Sequence, residues 1–401
     1  MSHPALRLRV IPAIDQVAAE AWDGCANPAP ETAEVNSQDQ SYNPFISHEF
    51  LYALEASASA TARSGWQPQH LLVESVDGTV LGAAPCYLKS HSQGEYVFDR
   101  GWAEAYERAG GAYYPKLQVS VPFTPATGRR LLVRPGADAE QVRSALATGL
   151  VELCRRHEAS SVHVTFMPEP ECAFLASHGF LRRTDQQFHW ENAGYATFDA
   201  FLEALSSRKR KTIKRERRDG LENGISVHWL TGSALTEEIW DAFFDFYMET
   251  GSRKWGRPYL TRQFYSLIGQ TMADRTVLIM ARRAGRWIAG AINFIGSDTL
   301  YGRHWGATEH HPFLHFEICY YQAIEFAIAH KLARVEAGAQ GEHKLARGYL
   351  PVTTHSAHYI ANPSLRRAIA DYLARERAYV EAAGEELAAA APFRKDLIEQ
   401  D

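Results

Sequence analysis

The 401-residue chain has few cysteines, and none of them stands in a C-x-x-C pair. The five are Cys25, Cys86, Cys154, Cys172 and Cys319, an odd number that fits neither a disulfide framework nor a zinc ribbon. Long apolar runs are also missing. No stretch approaches the roughly 18–20 residues of a membrane span, and the N-terminus lacks the pattern of a secretory signal. We therefore expect a cytoplasmic protein without a membrane span.

Metal-binding patterns are missing as well, although histidines cluster in the second half. Eight of the seventeen histidines lie between His304 and His358. The zinc-protease pattern H-E-x-x-H is absent, and His315 and Glu317, two positions apart, would project from different faces of a helix. We expect no metal site and no tightly bound cofactor.

A strong charge of one sign is missing from the whole chain but not from its parts. The 42 basic and 47 acidic residues give a net charge of -5, which argues against a general polyanion-binding surface. Residues 1–190 hold 15 basic and 21 acidic side chains, a balance of -6, whereas residues 191–401 hold 27 and 26, a balance of +1. An anion-binding site is therefore expected in the second half.

The length exceeds the roughly 250–300 residues that one hydrophobic core usually supports, so two domains are expected. With 46% apolar and 22% charged residues, the composition is that of an ordinary globular protein. Residues 27–43 are rich in Pro, Asn, Gln, Ser and acidic side chains without an apolar period, which predicts a loop insertion.

The order of predicted elements is repeated in the two halves. The first half shows a β-hairpin around Asp77-Gly78, then a strand over 116–123, a helix over 139–157 and a strand over 161–166. The second half shows a hairpin around Ala284-Gly285, then a strand over 299–306, a helix over 313–330 and a strand over 333–337. Val151-Glu152-Leu153, His157 and Val162 match Ile324-Glu325-Phe326, His330 and Val335 at a constant offset of 173.

This order indicates an internal duplication. Antiparallel strands followed by a strand–helix–strand passage are typical of a mixed sheet with a crossover helix. We predict an α/β (mixed α+β sheet) fold with two tandem domains, 1–190 and 191–401, each a mostly antiparallel sheet flanked by helices.

The densest basic run lies on a predicted helix over residues 206–219. Eight of the eleven residues from Arg208 to Arg218 are Lys or Arg, with little acidic compensation. Such a stripe could bind phosphates or an RNA backbone, with Arg210, Lys211 and Lys214 as candidate contacts. The alternative is a solvated helix without a ligand.

A second candidate is the glycine-flanked segment from Glu336 to Tyr349, which directly follows a buried-type strand. Functional residues concentrate where strands end in loops. An amine with a pKa near 10.4 needs a base before it can attack an acyl group, and Glu336, Glu342 or His343 could serve. Tyr349 is a candidate acid. The alternative is a structural loop with surface charges.

Candidate anion-holding residues complete this hypothesis. Lys344 and Arg347 could bind a phosphate or stabilise an oxyanion. Arg303 and His304 precede the strand end at Trp305, and Arg129 lies in the Thr124–Arg130 segment, which has one glycine and could meet a phosphate.

Several of these stretches resemble the FemAB-like family of bacterial proteins. They are Tyr113–Gly128, Leu205–Lys211, Trp305-Gly306, Phe313–Tyr321 and Val335–Pro351, and the resemblance runs from about Asn43 to Tyr379. The family belongs to the GNAT acyltransferase superfamily, and its members carry two GNAT-like domains in tandem. The resemblance implies N-acyl transfer to a small-molecule or peptide amine, from an aminoacyl-tRNA or an acyl-CoA co-substrate. With aminoacyl-tRNA as donor, the basic helix would be the tRNA contact.

One departure concerns the donor. Acetyl-CoA users generally place a [QR]-x-x-G-x-[GA] loop after the fourth strand, where backbone amides bind pyrophosphate. Here residues 307–314 read Ala-Thr-Glu-His-His-Pro-Phe-Leu, with no glycine. Ordinary CoA binding in the second domain is therefore not expected. The competing hypothesis is an inactive GNAT-fold binding module that recognises a cell-wall precursor or RNA.

Overall fold

The computed structural model describes residues 5–29, 41–255, 258–338 and 341–394. Residues 30–40 of the predicted 27–43 loop thus lie outside the described residues. The chain divides into two compact units: unit 1 is Met1–Asp185 with Thr353–Glu381, and unit 2 is Gln186–Val352 with Ala382–Asp401.

The strands and helices up to the first unit boundary are as follows. The strands are β1 (Arg7–Ile11), β2 (Trp66–Pro68), β3 (His70–Glu74), β4 (Val80–Ala84), β5 (Cys86–Lys89), β6 (Lys116–Val119), β7 (Leu132–Val133) and β8 (Ser161–Met167). The helices are α1 (Ala19–Ala26), α2 (His48–Ala56), α3 (Arg100–Arg108), α4 (Ala139–Arg156) and α5 (Glu169–Ser177).

The later elements begin with β9 (Leu181–Glu191). The further strands are β10 (Ser226–Thr231), β11 (Thr276–Arg283), β12 (Arg286–Ile295), β13 (Thr299–Ala307), β14 (Arg334–Glu336) and β15 (Leu350–Ile360). The helices are α6 (Phe198–Ala204), α7 (Ser207–Gly220), α8 (Glu237–Trp255), α9 (Arg262–Thr271), α10 (Leu314–Phe316), a π-helical turn (Glu317–Tyr321), α11 (Gln322–Ala329) and α12 (Pro363–Ala389).

In unit 1, β1, β3, β4 and β7 form a small antiparallel sheet. A second ladder runs β2-β5-β6-β8-β15, in which β6 and β8 are parallel and the other pairs are antiparallel. Helix α4 lies in the crossover from β6 to β8, and its apolar face, including Leu146 and Leu150, packs in the same buried cluster as Leu117 and Val162.

In unit 2 the ladder runs β10-β11-β12-β13-β14-β9. Among the described strand pairs of this ladder, β13 and β14 are parallel and the others are antiparallel, and helix α11 lies in the crossover between β13 and β14. Each unit is therefore a mixed, mostly antiparallel sheet with flanking helices. This is the predicted fold class.

The repeat at an offset of 173 is visible in the backbone. Helices α4 and α11 end at Arg156 and Ala329, and the strands that follow start at Ser161 and Arg334. Both helices are closed by a residue other than glycine at positive φ, Glu158 at 50° and Lys331 at 54°. Such a conformation is uncommon for these residue types, so its recurrence at the same offset marks corresponding positions.

The observed boundary after Asp185 lies five residues before the predicted boundary after residue 190. A second difference is larger. Thr353–Glu381 belongs to unit 1, not to the second half. The reason is strand pairing: the last strand, β15, pairs with β8, with His358 opposite His163. In the same way, β9 follows the first half in sequence but pairs with β14 of unit 2.

Candidate active site

The site in unit 2 begins where its two parallel strands separate. Only Thr299–Tyr301 of β13 pair with β14, which ends at Glu336. Strand β13 continues to Ala307, paired with β12 on its other side. Beyond Tyr301, β13 is therefore unpaired on the side that faced β14. Ligands bind preferentially at such carboxyl ends of parallel strands.

Glu336 lies at this strand end and is 3% exposed. The β-ladder places Tyr301 beside it on β13 and His189 beside it on β9. The His189 Nε2 atom is 4.0 Å from the Glu336 Oε2 atom. Burial lowers the pKa of His189 although Glu336 opposes the shift, and burial together with Glu336 raises the pKa of Tyr301. A carboxylate between a neutral imidazole and a phenol can accept a proton from an incoming amine.

Lys344 closes the loop that follows β14. It lies on a 3₁₀ turn over Glu342–Arg347, and its Nζ donates hydrogen bonds to Ala337 O (2.6 Å) and Gly338 O (2.9 Å). The side chain is buried, and burial lowers its pKa to about 8. The ammonium group thus fixes the exit of β14 and keeps a positive charge near neutral pH.

His343 is exposed on the same turn and forms a hydrogen bond with a tyrosine hydroxyl. Its Nε2 lies 2.9 Å from the Tyr320 hydroxyl, which comes from the π-helical turn. The rings of Phe316 and His315 lie within 6.5 Å of the His343 ring. Burial raises the pKa of Tyr320, so this hydroxyl stays protonated and could pass a proton through His343. π-helical turns occur frequently at functional sites.

Arg347 joins the 3₁₀ turn to the basic helix α7. Its Nη2 atom donates to both Glu216 carboxylate oxygens at 2.9–3.0 Å, and its Nη1 atom donates to His343 O at 2.7 Å. The Tyr321 hydroxyl donates to the same Glu216 carboxylate. The Arg347 guanidinium carbon lies 3.5 Å from the centre of the Phe316 ring. These contacts fix α7 against the candidate site.

The basic helix spans Ser207–Gly220, close to the predicted 206–219. Of the candidate phosphate contacts, Arg210 is half-buried, whereas Lys211 and Lys214 are exposed. Lys214 makes only an exposed ion pair with Asp199 at 3.4 Å.

Arg217 on the same helix binds Glu317 of the π-helical turn and Glu325 of α11, both at less than 3 Å. The helix is therefore anchored by its inner residues, and a stripe of cations faces outward.

Other predicted site residues are placed differently. Tyr349 is completely buried, and its hydroxyl donates to Tyr320 O at 3.4 Å. Burial holds its pKa well above the ordinary value, which favours a packing role over the predicted acid role. Arg129 donates to the carbonyl oxygens of Cys25 and Ala26 near the end of α1, so these bonds already occupy the group predicted to meet a phosphate.

Two further candidates come from β13. Arg303 and His304 lie on the part of the strand beyond its pairing with β14. Burial, with Arg303 adding to it, lowers the pKa of His304 to about 3, so the imidazole is neutral and is a weaker anion ligand than predicted. Its ring packs edge-on against Tyr247.

The segment after β13, where acetyl-CoA users have their pyrophosphate loop, contains an acidic residue. Glu309, which follows β13, is bound by Arg283 at 2.7 Å and by His311 at 3.0 Å. A neighbouring pocket of about 620 Å³ is lined by aromatic and imidazole side chains of Trp305, Phe313, His315 and Phe316. This composition differs from a glycine-rich phosphate cradle.

Sequence reasoning missed the partners of the predicted residues. His189, Glu216 and Tyr320 are each more than twenty positions from the residue they serve, and no motif connects them. The one available signal was the sparse acidic residue Glu216 within a basic run.

Across the described ranges, no three His, Cys, Asp or Glu side chains are grouped as metal ligands. None of the helices in those ranges is long and apolar enough to span a membrane.

Comparisons with known proteins agree with this architecture. The FemAB-like family model, described as peptidoglycan biosynthesis/recognition, matches residues 13–395. No curated protein matches the chain significantly.

Among solved structures, FemX has a TM-score of 0.50 at 12% identity, covering 79% of this chain and 93% of that one. A tandem GNAT protein from the clavulanic acid biosynthesis pathway, without AcCoA, has a TM-score of 0.48 at 16% identity, covering 90% and 99%. L-PGS from Bacillus licheniformis has a TM-score of 0.48 at 10% identity, covering 83% and 96%. At such identities the likeness to FemX concerns the fold. The family match covers nearly the whole chain, and the protein belongs to the FemAB-like family.

Proposed function

We propose that this protein is an N-acyltransferase that moves an acyl or aminoacyl group from an activated donor to an amine. The observation that carries the proposal is the buried Glu336 carboxylate at the end of β14, between Tyr301 and His189, where β13 separates from β14. Family membership supports an acyltransferase fold.

In the proposed reaction the acceptor enters as an ammonium group. Glu336 accepts one of its protons, and the neutral nitrogen attacks the acyl carbon of the donor. The N–C bond forms as the bond to the leaving thiolate or ribose oxygen breaks. As the amide forms, the nitrogen releases its second proton, which replaces the proton that the His343–Tyr320 pair gives to the leaving group. Lys344 stabilises the oxyanion that forms on the acyl carbonyl.

The donor is an acyl-CoA or an aminoacyl-tRNA, and the acidic loop at Glu309 disfavours the first in unit 2. A pyrophosphate placed there would face the Glu309 carboxylate, and the neighbouring Arg283 cation is already bound to that carboxylate at 2.7 Å. An aminoacyl-tRNA would meet the exposed cations of α7, including Lys211 and Lys214. Both donors and amine acceptors are available in the cytoplasm, the compartment we propose.

The test is turnover of radiolabelled acetyl-CoA and of a set of labelled aminoacyl-tRNAs against a panel of small-molecule and peptide amines. We expect transfer from one donor class, abolished in Glu336→Gln. The matched control is Glu325→Gln, which removes a half-buried carboxylate that pairs with Arg217 at 2.7 Å on helix α7. Transfer unaffected by Glu336→Gln would overturn the site assignment. Binding of a donor or acceptor without transfer in any combination would favour the inactive binding module.

A further inference from the structure

A pocket of about 330 Å³ lies against the start of helix α7 within unit 2. The residues that line it are Arg208, Lys209, Thr212, Ile213, Glu216, Tyr321, Ala346 and Arg347. Arg208, Thr212 and Glu216 are spaced by four positions, so one face of the helix runs along the pocket for about two turns. The candidate phosphate contacts Lys211 and Lys214 do not line it.

The charges around this pocket favour an anion. Arg208, Lys209 and Arg347 supply three positive charges, and Glu216 supplies one negative charge that Arg347 and Tyr321 already bind. The balance of three cations and one carboxylate is +2. The Thr212 hydroxyl donates to Arg208 O at 3.1 Å and therefore adds no available donor.

Two sets of donors at the pocket lack acceptors. The first main-chain bond of α7 runs from Arg210 N–H to Ser206 O at 3.0 Å, so the preceding N–H groups of Ser207, Arg208 and Lys209 have no acceptor within the helix. The Ser206 side chain makes no cap hydrogen bond. Independently, the Nε–H of Arg347 is buried and has no hydrogen-bond acceptor among the described residues, although Arg347 is only 6% exposed.

We infer that this pocket binds a phosphate or diphosphate group of a small-molecule substrate. The inference deepens the proposed function, because Arg347 follows His343 and Lys344 on the same 3₁₀ turn. A rise of about 2 Å per residue places the phosphate site about 8 Å along that turn from His343. A phosphorylated substrate held here would have its reactive end directed along the turn toward the proposed catalytic groups.

The test measures binding of inorganic pyrophosphate to the full chain by calorimetry at several salt concentrations. We expect the double variant Arg208→Ala/Lys209→Ala to weaken binding at least tenfold. The matched control, Lys211→Ala/Arg215→Ala, removes the same charge from exposed positions of the same helix and should change affinity less than twofold.

Equal losses in the two double variants would show that only the net charge of α7 attracts pyrophosphate and would overturn the pocket. Absence of pyrophosphate binding by the wild-type chain would overturn it as well. Arg347→Lys keeps the charge but removes the Nε–H donor, so unchanged affinity in that variant would contradict the role of Arg347. Pyrophosphate binding and acyl transfer are measured separately. A protein without transfer activity could still bind pyrophosphate in this pocket, and a protein without pyrophosphate binding could still transfer the acyl group.

Discussion

Units 1 and 2 have different side chains at and around one equivalent strand position. His163 on β8 and Glu336 on β14 are 173 residues apart and lie at equivalent points of their parallel pairs, opposite Gln118 and Tyr301. Each also faces a histidine on an antiparallel neighbour, His358 in unit 1 and His189 in unit 2. The duplicated fold therefore places a polar side chain at the same point twice.

The surroundings of His163 form a buried network of ionisable side chains. Its Nδ1 lies 2.7 Å from the His358 Nδ1, and both rings are buried. Nearby, the Asp99 carboxylate accepts hydrogen bonds from Lys116 at 2.6 Å and from Tyr113 at 2.7 Å. Burial lowers the pKa of His163 to about 3, so the imidazole is neutral.

The second lysine in this network differs from the first. Lys89 and Lys116 both lie 3.4 Å from Glu95. Burial lowers the pKa of Lys89 to about 7, whereas Asp99 and Glu95 outweigh burial at Lys116 and raise its pKa. Inside unit 1 two acids thus face one fully protonated lysine, Lys116, and a second lysine, Lys89, that is about half protonated at pH 7. In unit 2 the corresponding position has a single carboxylate beside a neutral histidine at a strand end. The comparison indicates that one copy stabilises the fold while the other can perform chemistry.

The largest difference between the two units is expected when the equivalent positions Glu336 and His163 are each substituted. Glu336→Gln removes the proposed base and should lower kcat/KM about 10²- to 10⁴-fold. His163→Gln should leave the rate within about twofold while lowering stability. Transfer assays with circular dichroism of each variant provide the measurement, and a comparable rate loss in both variants would mean that unit 1 also takes part in the reaction.

The charge balance of unit 1 can be tested with its two lysines. Lys116→Met leaves Asp99 buried without its partner and should lower the unfolding free energy by about 3–5 kcal/mol. Lys89→Met should cost less, about 1–2 kcal/mol, because Lys89 is closer to neutrality and its amine contacts the Trp66 ring.

Urea unfolding, with hydrogen exchange of the β8 amides to identify the affected unit, measures both values. Equal destabilisation by the two lysine variants would contradict the assignment of Lys116 as the principal partner of Asp99.

The proposed proton donor of unit 2 has no counterpart in the network of unit 1. Tyr320→Phe and His343→Ala should each lower kcat about tenfold, because each breaks the same relay. The double variant should be no slower than the worse single variant, since residues that act as one unit are not additive. Fully additive losses would show that the two side chains act separately.

The smallest expected effect concerns pH. Lys344, with a pKa of about 8, is protonated below that pH and loses its charge above it. If the ammonium stabilises an oxyanion, kcat/KM should be level up to about one pH unit below the pKa, fall to half near pH 8 and decrease further above it.

Stability moves in the opposite direction over the range from pH 8 to about 10.4. There the unfolded chain still binds the proton that folded Lys344 has released, so the contribution of Lys344 to the unfolding free energy rises with pH. Because the contribution of Lys344 to stability rises over the pH range in which the rate should fall, the loss of rate is not explained by unfolding. Lys344→Arg should move the falling limb to higher pH, and an unmoved limb would assign it to another group.

Local patterns predicted much of the fold and less of the site. The hairpins around Asp77-Gly78 and Ala284-Gly285, helix α4 and helix α7 all follow from periodicity and turn residues, and the structure confirms them. The 173-residue offset also predicted the repeated crossover.

The rest depends on contacts that are distant in sequence. His189 meets Glu336, and Arg347 meets Glu216, only because strands and helices from separate segments pack together. Tyr349 follows a glycine in a polar stretch, so nothing local reveals that its ring turns into the core. The assignment of residues 353–381 to unit 1 depends on strand partners, which sequence order does not encode.

The pairing of β15 with β8 has a consequence for the timing of folding. Unit 1 lacks its last strand until residues 353–360 have been synthesised, although the rest of its sheet is complete by residue 167. Residues 168–360 are made at about 5–20 residues per second, which is a delay of about 10–39 s. During synthesis the edge of β8 with its buried histidine therefore stays unpaired until residues 186–352 of unit 2 have been made.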